Sequence, residues 1–434
     1  MAQLGWIHPT IKLIIWSASL YLLISVPLAQ AANSRIIAVF KEDWPSEDQL
    51  AGVAGVVAAI PGATILHVLS LSDSIAVLVP TLSLNLAKTL LQNVPGMEEV
   101  IDDKLTVLEG TTCVDSAPPP LKETYGWGLN KSSFEQVPSE WKGAGITVAV
   151  VDTGIYQDHA ELKGKVGKKY NVTGGPNNDD NGHGTHIAGI IAADLNKLAL
   201  IGGASEVTLA SVKVLNSEGI GYLSDVCRAL EWVGENGIQV VNMSFGFLDD
   251  NTPLLRTTHA LYNLGVIQVA AAGNRCAKPP KQDDGGGDEC HKGGAADCDD
   301  PQTKVKFPAA YAWVLAVGAT NINNDIAKYS CEGPEIDFVA AGGDLQTGIL
   351  STNKNGGYGK ASGTSQAAAH ATAAVALALQ KQSTLTLQQL RAVLRATATT
   401  LQDSNNETYD TELQGAGLIH AGKMIEALPW KQNQ

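Results

Sequence analysis

The apolar and polar positions of residues 34–110 predict a small module in which strands alternate with helices. Ile36–Phe40 reads as an apolar strand, and Glu47–Ile60 carries small apolar residues on one helical face until Pro61-Gly62 ends it. The further elements are a strand, a strand, a helix and a strand at Ile65–Val68, Ile75–Val79, Leu82–Gln92 and Val100–Leu108. The order β-α-β-β-α-β predicts a ferredoxin-like α+β fold.

The hydrophobic pattern changes after a turn-rich link at Cys113–Leu121 that contains three consecutive prolines. Nearly continuous apolar runs then alternate with helical segments. The predicted strands are Ile146–Val151, Val207–Val214, Val240–Met243, Val266–Ala271 and Val314–Val317. Strands that are apolar on both faces are typical of a parallel sheet covered by helices on both sides. We therefore expect an α/β domain over residues 113–434.

Residues 1–31 have the pattern of a signal peptide. Lys12 precedes a largely apolar stretch, Leu13–Leu28, and Ala29-Gln30-Ala31 has the small-x-small form of a cleavage site. The alternative is an uncleaved anchor helix, because the stretch is near the lower length limit for crossing a bilayer. We expect export with cleavage, to the outside of the cell or the periplasm, and no stable association with a membrane.

The composition is that of a globular protein, since 44% of the 434 residues are apolar and 17% are charged. The length exceeds that of a usual single domain, which agrees with a small module followed by a larger domain. The formal net charge of -14 argues against nucleic acid or an anionic membrane as a partner, because both require basic patches.

The cysteine count is even, and in an exported chain this makes disulfides plausible, with fifteen possible pairings. The six positions are Cys113, Cys227, Cys276, Cys290, Cys298 and Cys331. A zinc site is a weaker interpretation because no CxxC spacing occurs, and Cys227 fits a buried thiol in a helix. The segment Arg275–Lys304 is rich in Cys, Gly and Asp and predicts a surface loop. Within it we predict a disulfide from Cys276 to Cys290 or Cys298.

Three separated motifs contain the residue types of nucleophilic acyl transfer. Ser365 lies in a turn of small residues that leads into an Ala-rich helix predicted to run to about Leu379. Asp152 ends the first apolar strand of the larger domain, and His183 is flanked by glycines where a helix begins. A serine hydroxyl needs a neighbouring base, and the base needs a carboxylate to orient it. The chain order Asp, His, Ser is one of the known orders for such a triad.

These motifs resemble those of the subtilisin-like serine proteases, the subtilase family, over about residues 125–430. The resemblance implies that Asp152, His183 and Ser365 form a catalytic triad. It also implies that Asn274, in a Val-Ala-Ala-Ala-Gly-Asn segment, supplies the amide of the oxyanion hole. The module at residues 32–112 resembles the inhibitory propeptide of such proteases, which would act as an intramolecular inhibitor and chaperone.

The resemblance also implies which residues bind the substrate. They comprise a strand lining the specificity pocket, an edge that pairs with substrate backbone, and the residues before Asn274. The residues are Ser244, Phe245, Gly246, Gly219, Gly221, Tyr222, Ala272 and Gly273. The chain departs from the family in having Gln366, Ala368 and Ala369 where Met, Ser and Pro are usual, and the insertion at 275–304 replaces part of the pocket wall.

Two further interpretations concern residues near the motifs. His186 is a rival to His183 as the base, but its apolar flank and the family position favour a core histidine. The chemistry requires no cofactor. Glu161 and Asn196 fall where the family often binds a structural calcium, and oxygen ligands suit that ion. Ordinary surface polarity is the alternative for these two residues.

The sequence therefore predicts an exported serine endopeptidase that is made as an autoprocessed zymogen and acts on protein or peptide substrates as a monomer. Its rivals are a catalytically silent binding protein with the same fold and an acyl transferase or peptide macrocyclase on the same scaffold. All three triad residues are present, which disfavours the first rival. No helical insertion shields the region near His183, which disfavours the second.

Overall fold

The computed structural model describes residues 33–41, 46–108, 115–275, 304–344 and 346–429. The chain divides into two compact units, Met1–Lys104 with Thr252–Thr257 and Leu105–Asn251 with Thr258–Gln434. Within the described ranges, no helix is both long enough and apolar enough to cross a membrane. The signal peptide predicted for residues 1–31 lies outside the described residues.

The smaller unit has the predicted order of strands and helices. Its elements are β1 (Asn33–Phe40), α1 (Glu47–Ala59), β2 (Thr64–Leu69), β3 (Ser74–Pro80), α2 (Leu84–Gln92) and β4 (Met97–Asp102). The strands form an antiparallel sheet in the order β2-β3-β1-β4. Helix α1 begins with a reciprocal capping box between Ser46 and Gln49. Both helices contribute to one apolar core with the sheet.

The prediction of one last strand at Val100–Leu108 is wrong. Strand β4 ends at Asp102, and Leu105–Leu108 forms a separate strand, β5, that belongs to the larger unit. The break coincides with contacts to a residue distant in the chain, because the buried Asp103 carboxylate lies 2.8 Å from the Arg35 guanidinium. The backbone N–H of Asp103 also donates to the Arg35 carbonyl. These contacts hold the chain at this point and end the strand.

The larger unit is built on a seven-stranded parallel sheet. Its strands, in chain order, are β8 (Thr147–Asp152), β9 (Val166–Asn171), β11 (Thr208–Lys213), β13 (Val240–Met243), β15 (Ile267–Ala271), β16 (Leu315–Thr320) and β17 (Ile336–Ala341). Their spatial order is β17-β16-β15-β13-β8-β11-β9, and all neighbours run parallel. The predicted α/β fold is confirmed. The sequence prediction missed β9 and β17.

Shorter strands and the helices complete the element list. The strands are β6 (Asp115–Ala117), β7 (Thr124–Tyr125), β10 (Leu200–Ile201), β12 (Ile220–Tyr222), β14 (Phe245–Gly246), β18 (Ile349–Thr352) and β19 (Tyr358–Ala361). The helices are α3 (Trp127–Lys131), α4 (His183–Ala192), α5 (Leu223–Glu235), α6 (Thr252–Asn263), α7 (Thr364–Lys381), α8 (Leu387–Thr397), α9 (Thr411–Gln414) and α10 (Ala421–Ala427). Strand β5 lies between β12 and β14 in a separate three-stranded sheet.

Helix α7 runs through the centre of the larger unit. Its residues from Thr364 to Leu379 are all buried, as the all-round apolar pattern predicts. Many of them are alanines, and their small side chains let the helix pack closely on β13, β15 and β16 and on helix α4. The packing fixes the amino-terminal end of α7, which carries Ser365, against the carboxyl edge of the sheet.

Candidate active site

Asp152 and His183 form a buried hydrogen-bonded pair. Asp152 is the last residue of β8 and His183 the first of α4. The His183 Nδ1 atom lies 2.9 Å from each Asp152 carboxylate oxygen, and neither residue is exposed. Among the described residues, His183 Nε2 is buried and has no hydrogen-bond partner. The carboxylate thus orients the ring through Nδ1, and the opposite nitrogen is available for a substrate-side or hydroxyl contact.

A second carboxylate, that of Asp179, ties the two segments of this pair together. One Asp179 oxygen accepts hydrogen bonds from the Thr153 hydroxyl at 2.9 Å and from the Gly182 N–H at 2.8 Å. The other accepts from the Thr185 N–H at 3.0 Å and from its hydroxyl at 2.5 Å. Thr153 follows Asp152, and Thr185 is in the first turn of α4. These hydrogen bonds to Asp179 therefore fix the end of β8 relative to the start of α4.

Close approach of the same two segments requires a glycine at position 184. A Cβ atom on Gly184 would lie 2.1 Å from the Gly154 carbonyl oxygen and 3.1 Å from an Asp152 carboxylate oxygen. The Gly184 N–H donates instead to the Thr153 hydroxyl at 2.9 Å. A side chain at this position would separate the imidazole from its carboxylate.

Ser365 is the second residue of α7 and is fully buried. Its hydroxyl donates to the Ser244 carbonyl oxygen at 3.0 Å. Ser244 directly follows the last residue of β13, and Asp152 is the last residue of β8. The two strands are neighbours, and Met243 pairs with Val151. Because neighbouring strands lie about 4.8 Å apart, Ser244 and Asp152 meet at one carboxyl edge of the sheet. The structure therefore brings the serine to the edge that holds the Asp–His pair.

The side chain of Asn274 is oriented by the residue before Ser365. The Asn274 Oδ1 atom accepts hydrogen bonds from the N–H and from the hydroxyl of Thr364, both at 3.0 Å. The Thr364 hydroxyl in turn accepts from the Gly273 N–H at 3.2 Å. Because Thr364 holds the Asn274 amide oxygen, the amide nitrogen Nδ2 points away from these contacts. Asn274 thus has an N–H donor beside the start of α7.

Four of the residues predicted to bind substrate, Gly221, Tyr222, Phe245 and Gly246, lie on two short strands. Ile220–Tyr222 and Phe245–Gly246 pair antiparallel with opposite sides of β5. Gly219 adjoins the first strand, and its carbonyl oxygen accepts the Leu108 N–H at 3.2 Å. Ala272 and Gly273 lie instead at the end of β15, next to Asn274. The two strands thus already pair with an extended segment of the chain itself.

The two histidines nearest the triad segments are core residues. The His186 Nε2 atom lies 3.0 Å from the Ile349 carbonyl oxygen, as its apolar flank predicts for a core histidine. Burial, and to a lesser degree the proximity of His183, lowers the pKa of His186 to about 3. His370, in α7, contacts the Gln366 carbonyl oxygen through Nδ1 at 2.8 Å, and burial lowers its pKa to about 4. With pKa values this low, both rings are much weaker bases than an ordinary imidazole, and each already contacts a backbone carbonyl oxygen, so neither is suited to replace His183 as the base.

The two predicted calcium ligands are engaged with protein donors. One carboxylate oxygen of Glu161 accepts hydrogen bonds from the Tyr358 hydroxyl at 2.8 Å and from two backbone N–H groups at 3.1 Å. The Asn196 Oδ1 atom accepts the Leu198 N–H at 3.0 Å. Calcium requires six to eight oxygen ligands, and the second Glu161 carboxylate oxygen, Oε2, is buried without a hydrogen-bond partner among the described residues, so it could serve as one of them. The calcium site stays a prediction, and we derive no step that involves it.

The predicted surface loop and its disulfide cannot be placed, because residues 276–303 lie outside the described residues. Cys113 lies outside them as well. Of the remaining cysteines, Cys227 is buried in helix α5, as its position in an apolar pattern predicts, and Cys331 is also buried. The disulfide from Cys276 stays a prediction.

Sequence reasoning missed the residues that hold the predicted ones in place. Thr364 orients the Asn274 side chain. The segments of the Asp152–His183 pair are held by hydrogen bonds among Asp179, Thr153 and Thr185. Their only sequence signal is that each lies next to or near a motif residue, which does not reveal a hydrogen bond. Gln366 was noted as a departure, and the structure adds that its amide is fully buried.

Comparisons with known proteins show which sequences this chain is similar to. The chain matches the subtilase family over residues 143–417. It is 35% identical to subtilisin DY of Bacillus licheniformis over 283 residues, which covers 65% of this chain and 94% of the relative. It is 35% identical to subtilisin BL of Lederbergia lenta over 304 residues, which covers 69% of this chain and 98% of the relative. It is 32% identical to an alkaline protease of Shouchella clausii over 348 residues, which covers 79% of this chain and 78% of the relative.

Proposed function

Because the chain belongs to the subtilase family and is a subtilisin-like serine endopeptidase, we propose that Asp152, His183 and Ser365 form its catalytic triad. The observation that carries the proposal is the buried Asp152–His183 pair, with 2.9 Å from Nδ1 to the carboxylate and no partner on Nε2 among the described residues. An imidazole fixed in this way has one nitrogen to take a proton. A serine at the same edge of the sheet supplies that proton.

The proposed reaction proceeds in two steps. Ser365 Oγ attacks the peptide carbonyl carbon while its proton moves to His183 Nε2, and the peptide C–N bond then breaks as the same proton passes to the leaving amine. The product is an acyl-enzyme. Water then attacks the acyl carbon while giving a proton to Nε2, and the acyl C–O bond breaks as the same proton returns to Ser365 Oγ, which releases the carboxyl product. The Asp152 carboxylate stabilises the imidazolium that forms in each step.

The developing oxyanion is stabilised by the end of α7 and by Asn274. The amino-terminal end of a helix carries partial positive charge and N–H groups, and Ser365 is the second residue of α7. The Thr364 contacts turn the Asn274 amide so that its Nδ2 is the donor. Two donors of this kind favour the charged intermediate over the neutral carbonyl.

The finer proposal is that the protein is exported and made as an autoprocessed zymogen. Its support is the pattern of residues 1–31 and the strand β5, which lies where the predicted substrate-binding strands pair with backbone. Residues 32–112 then act as the intramolecular inhibitor that is removed on maturation. Residues 32–108 precede the proposed processing region at residues 109–118, so the precursor and the mature product differ clearly in mass.

Ser365→Ala tests the proposal. The variant should neither hydrolyse casein nor process itself, whereas mature wild-type enzyme added in trans should cleave it. The matched control is Ser362→Ala in the same turn, whose hydroxyl donates to the Asp344 carbonyl at 2.7 Å and which should process normally. Self-processing by Ser365→Ala would contradict the triad. Products from a synthetic peptide, analysed by mass, also separate hydrolysis from acyl transfer and cyclisation.

A further inference from the structure

Strand β5, at Leu105–Leu108, occupies the position of a bound peptide. It pairs Leu105 with Tyr222 and Thr106 with Gly221 on one side. On the other side it pairs Val107 with Gly246 and Leu108 with Phe245. When an extended peptide pairs with the edge of a sheet, its main-chain hydrogen bonds give affinity and its alternate side chains give specificity. Strand β5 pairs in this way on both of its sides. The four residues therefore show which side chains this site accepts.

Burial alternates along the strand. Thr106 and Leu108 are 1% and 3% exposed, whereas Leu105 is 40% exposed. Val107 is half-buried. Because successive side chains of a strand point to opposite faces, Thr106 and Leu108 face the protein together. Within β5, recognition thus concentrates on two positions separated by one residue.

Each of the two positions has a distinct physical requirement. The Thr106 hydroxyl donates to the Gly246 carbonyl oxygen at 2.9 Å, so this position favours a small side chain with a donor. At the other position, a Cβ on Gly219 would lie 2.6 Å from a Leu108 methyl carbon. The absence of a side chain at Gly219 leaves room for a branched aliphatic residue. Gly219 also has φ of +76°, a conformation that favours glycine.

We propose that this protease selects substrates with the pattern Thr-x-Leu-x and cuts the bond after the fourth residue. A substrate bound in the register of β5 has its leucine opposite Phe245, so its next residue lies opposite Ser244. The Ser244 carbonyl oxygen accepts the Ser365 hydroxyl at 3.0 Å. The carbonyl of the substrate residue opposite Ser244 is the one presented to Ser365. In the chain's own sequence the pattern is Thr106-Val107-Leu108-Glu109, so the first maturation cut falls between Glu109 and Gly110. The proposal rests on the proposed peptidase function.

Peptide substrates test the pattern. Mature enzyme is assayed with an internally quenched peptide containing Thr-Val-Leu-Glu-Gly-Thr and with variants changed at one position. Replacing leucine by alanine should lower kcat/KM about 50-fold, because about three buried carbon groups are lost. Replacing threonine by valine, which keeps the shape but not the donor, should lower it about 2- to 10-fold. Replacing the half-buried valine by threonine is the control and should change it less than about 2-fold.

A variant of the enzyme tests the same pocket from the other side. Gly219→Ala should reduce the ratio of kcat/KM between the leucine and alanine peptides at least about 5-fold, since its Cβ would crowd only the leucine. The ratio is insensitive to any loss of folded enzyme. An unchanged ratio, or equal rates on all peptides, would overturn the recognition rule while leaving the peptidase function intact. No hydrolysis of any peptide or of casein would instead remove the proposed function.

The cleavage position is tested separately on the full chain. The earliest fragment released during self-processing should end at Glu109, and the complementary product should begin at Gly110, as read from intact masses in a time course. A first cut at any other bond would overturn the register. Leu108→Ala should slow this first cut about 50-fold in the full chain, and an unchanged rate would contradict the assigned role of Leu108.

Discussion

Replacing Gln366 by methionine should stabilise the folded protein. Gln366 follows Ser365 in α7 and has no exposed surface. Within the part of the chain that the structure describes, neither its Oε1 nor its Nε2 has a hydrogen-bond partner. A buried amide without partners costs about 1–3 kcal/mol. Methionine is similarly long and unbranched and carries no such group, so the cavity stays filled.

The expected gain is therefore about 1–3 kcal/mol in the free energy of unfolding. At about 2–4 °C per kcal/mol, it corresponds to a rise in Tm of several degrees. Both are measured by urea unfolding and calorimetry in a Ser365→Ala background, where self-digestion does not interfere. The backbone contact from Gln366 to His370 is unaffected, since it uses the carbonyl oxygen.

Gln414 offers a matched control in the same unit. It is also buried, but its Oε1 accepts the Leu401 N–H at 2.8 Å and its Nε2 donates to the Tyr409 carbonyl at 2.6 Å. Gln414→Met leaves both partners unsatisfied and should destabilise by about 1–3 kcal/mol. If Gln366→Met is destabilised to the same degree, the Gln366 amide is paired in the folded protein and the reasoning is refuted.

Three other predictions follow from the site and its surroundings. Asn274→Ala should lower kcat about 10²- to 10³-fold, a magnitude already known for subtilisins, with little change in KM; a loss below about 3-fold would remove Asn274 from oxyanion stabilisation. Because burial lowers the pKa of His186 to about 3 and of His370 to about 4, the unfolded chain binds protons that the folded chain does not. The contribution of these two histidines to the free energy of unfolding should thus be fully present above about pH 6.5. Below that pH it should fall by about 1.4 kcal/mol per pH unit for each histidine. His186→Gln should flatten this slope, as measured by urea unfolding at a series of pH values. Chelation with EGTA should lower Tm, because calcium would ligate Glu161 Oε2, which is buried without a partner among the described residues, and loss of a tight calcium site would cost about 4 kcal/mol; an unchanged Tm would remove the calcium prediction.

The sequence predicted the sheet best where strands are apolar on both faces. Val240–Met243 has the predicted bounds, and β8 ends one residue later than predicted, at Asp152 itself. Strand β9, at Val166–Asn171, was missed because it lies at the sheet edge and contains two lysines, so its pattern is not that of a buried strand. Apolar periodicity reports burial, and no residue of β9 is fully buried, so this strand does not show it.

The site residues were predicted from motif types, but their orientation was not. Long-range hydrogen bonds decide orientation, such as that from Thr364 to Asn274 or from Thr153 to Asp179, which lie far apart in the chain. The division of Val100–Leu108 into two strands has a similar origin, because the Arg35–Asp103 ion pair joins distant residues. Local propensity contains no information on such contacts.

The reactivity of Ser365 tests the central claim most directly. Mature enzyme is treated with a fluorophosphonate, which esterifies a serine only where the hydroxyl is activated by a base, and the modified peptide is identified by mass spectrometry. One adduct per chain is expected, on Ser365, with loss of peptide hydrolysis in proportion to labelling. Loss of activity with the adduct on a different residue, or full activity with Ser365 modified, would contradict it.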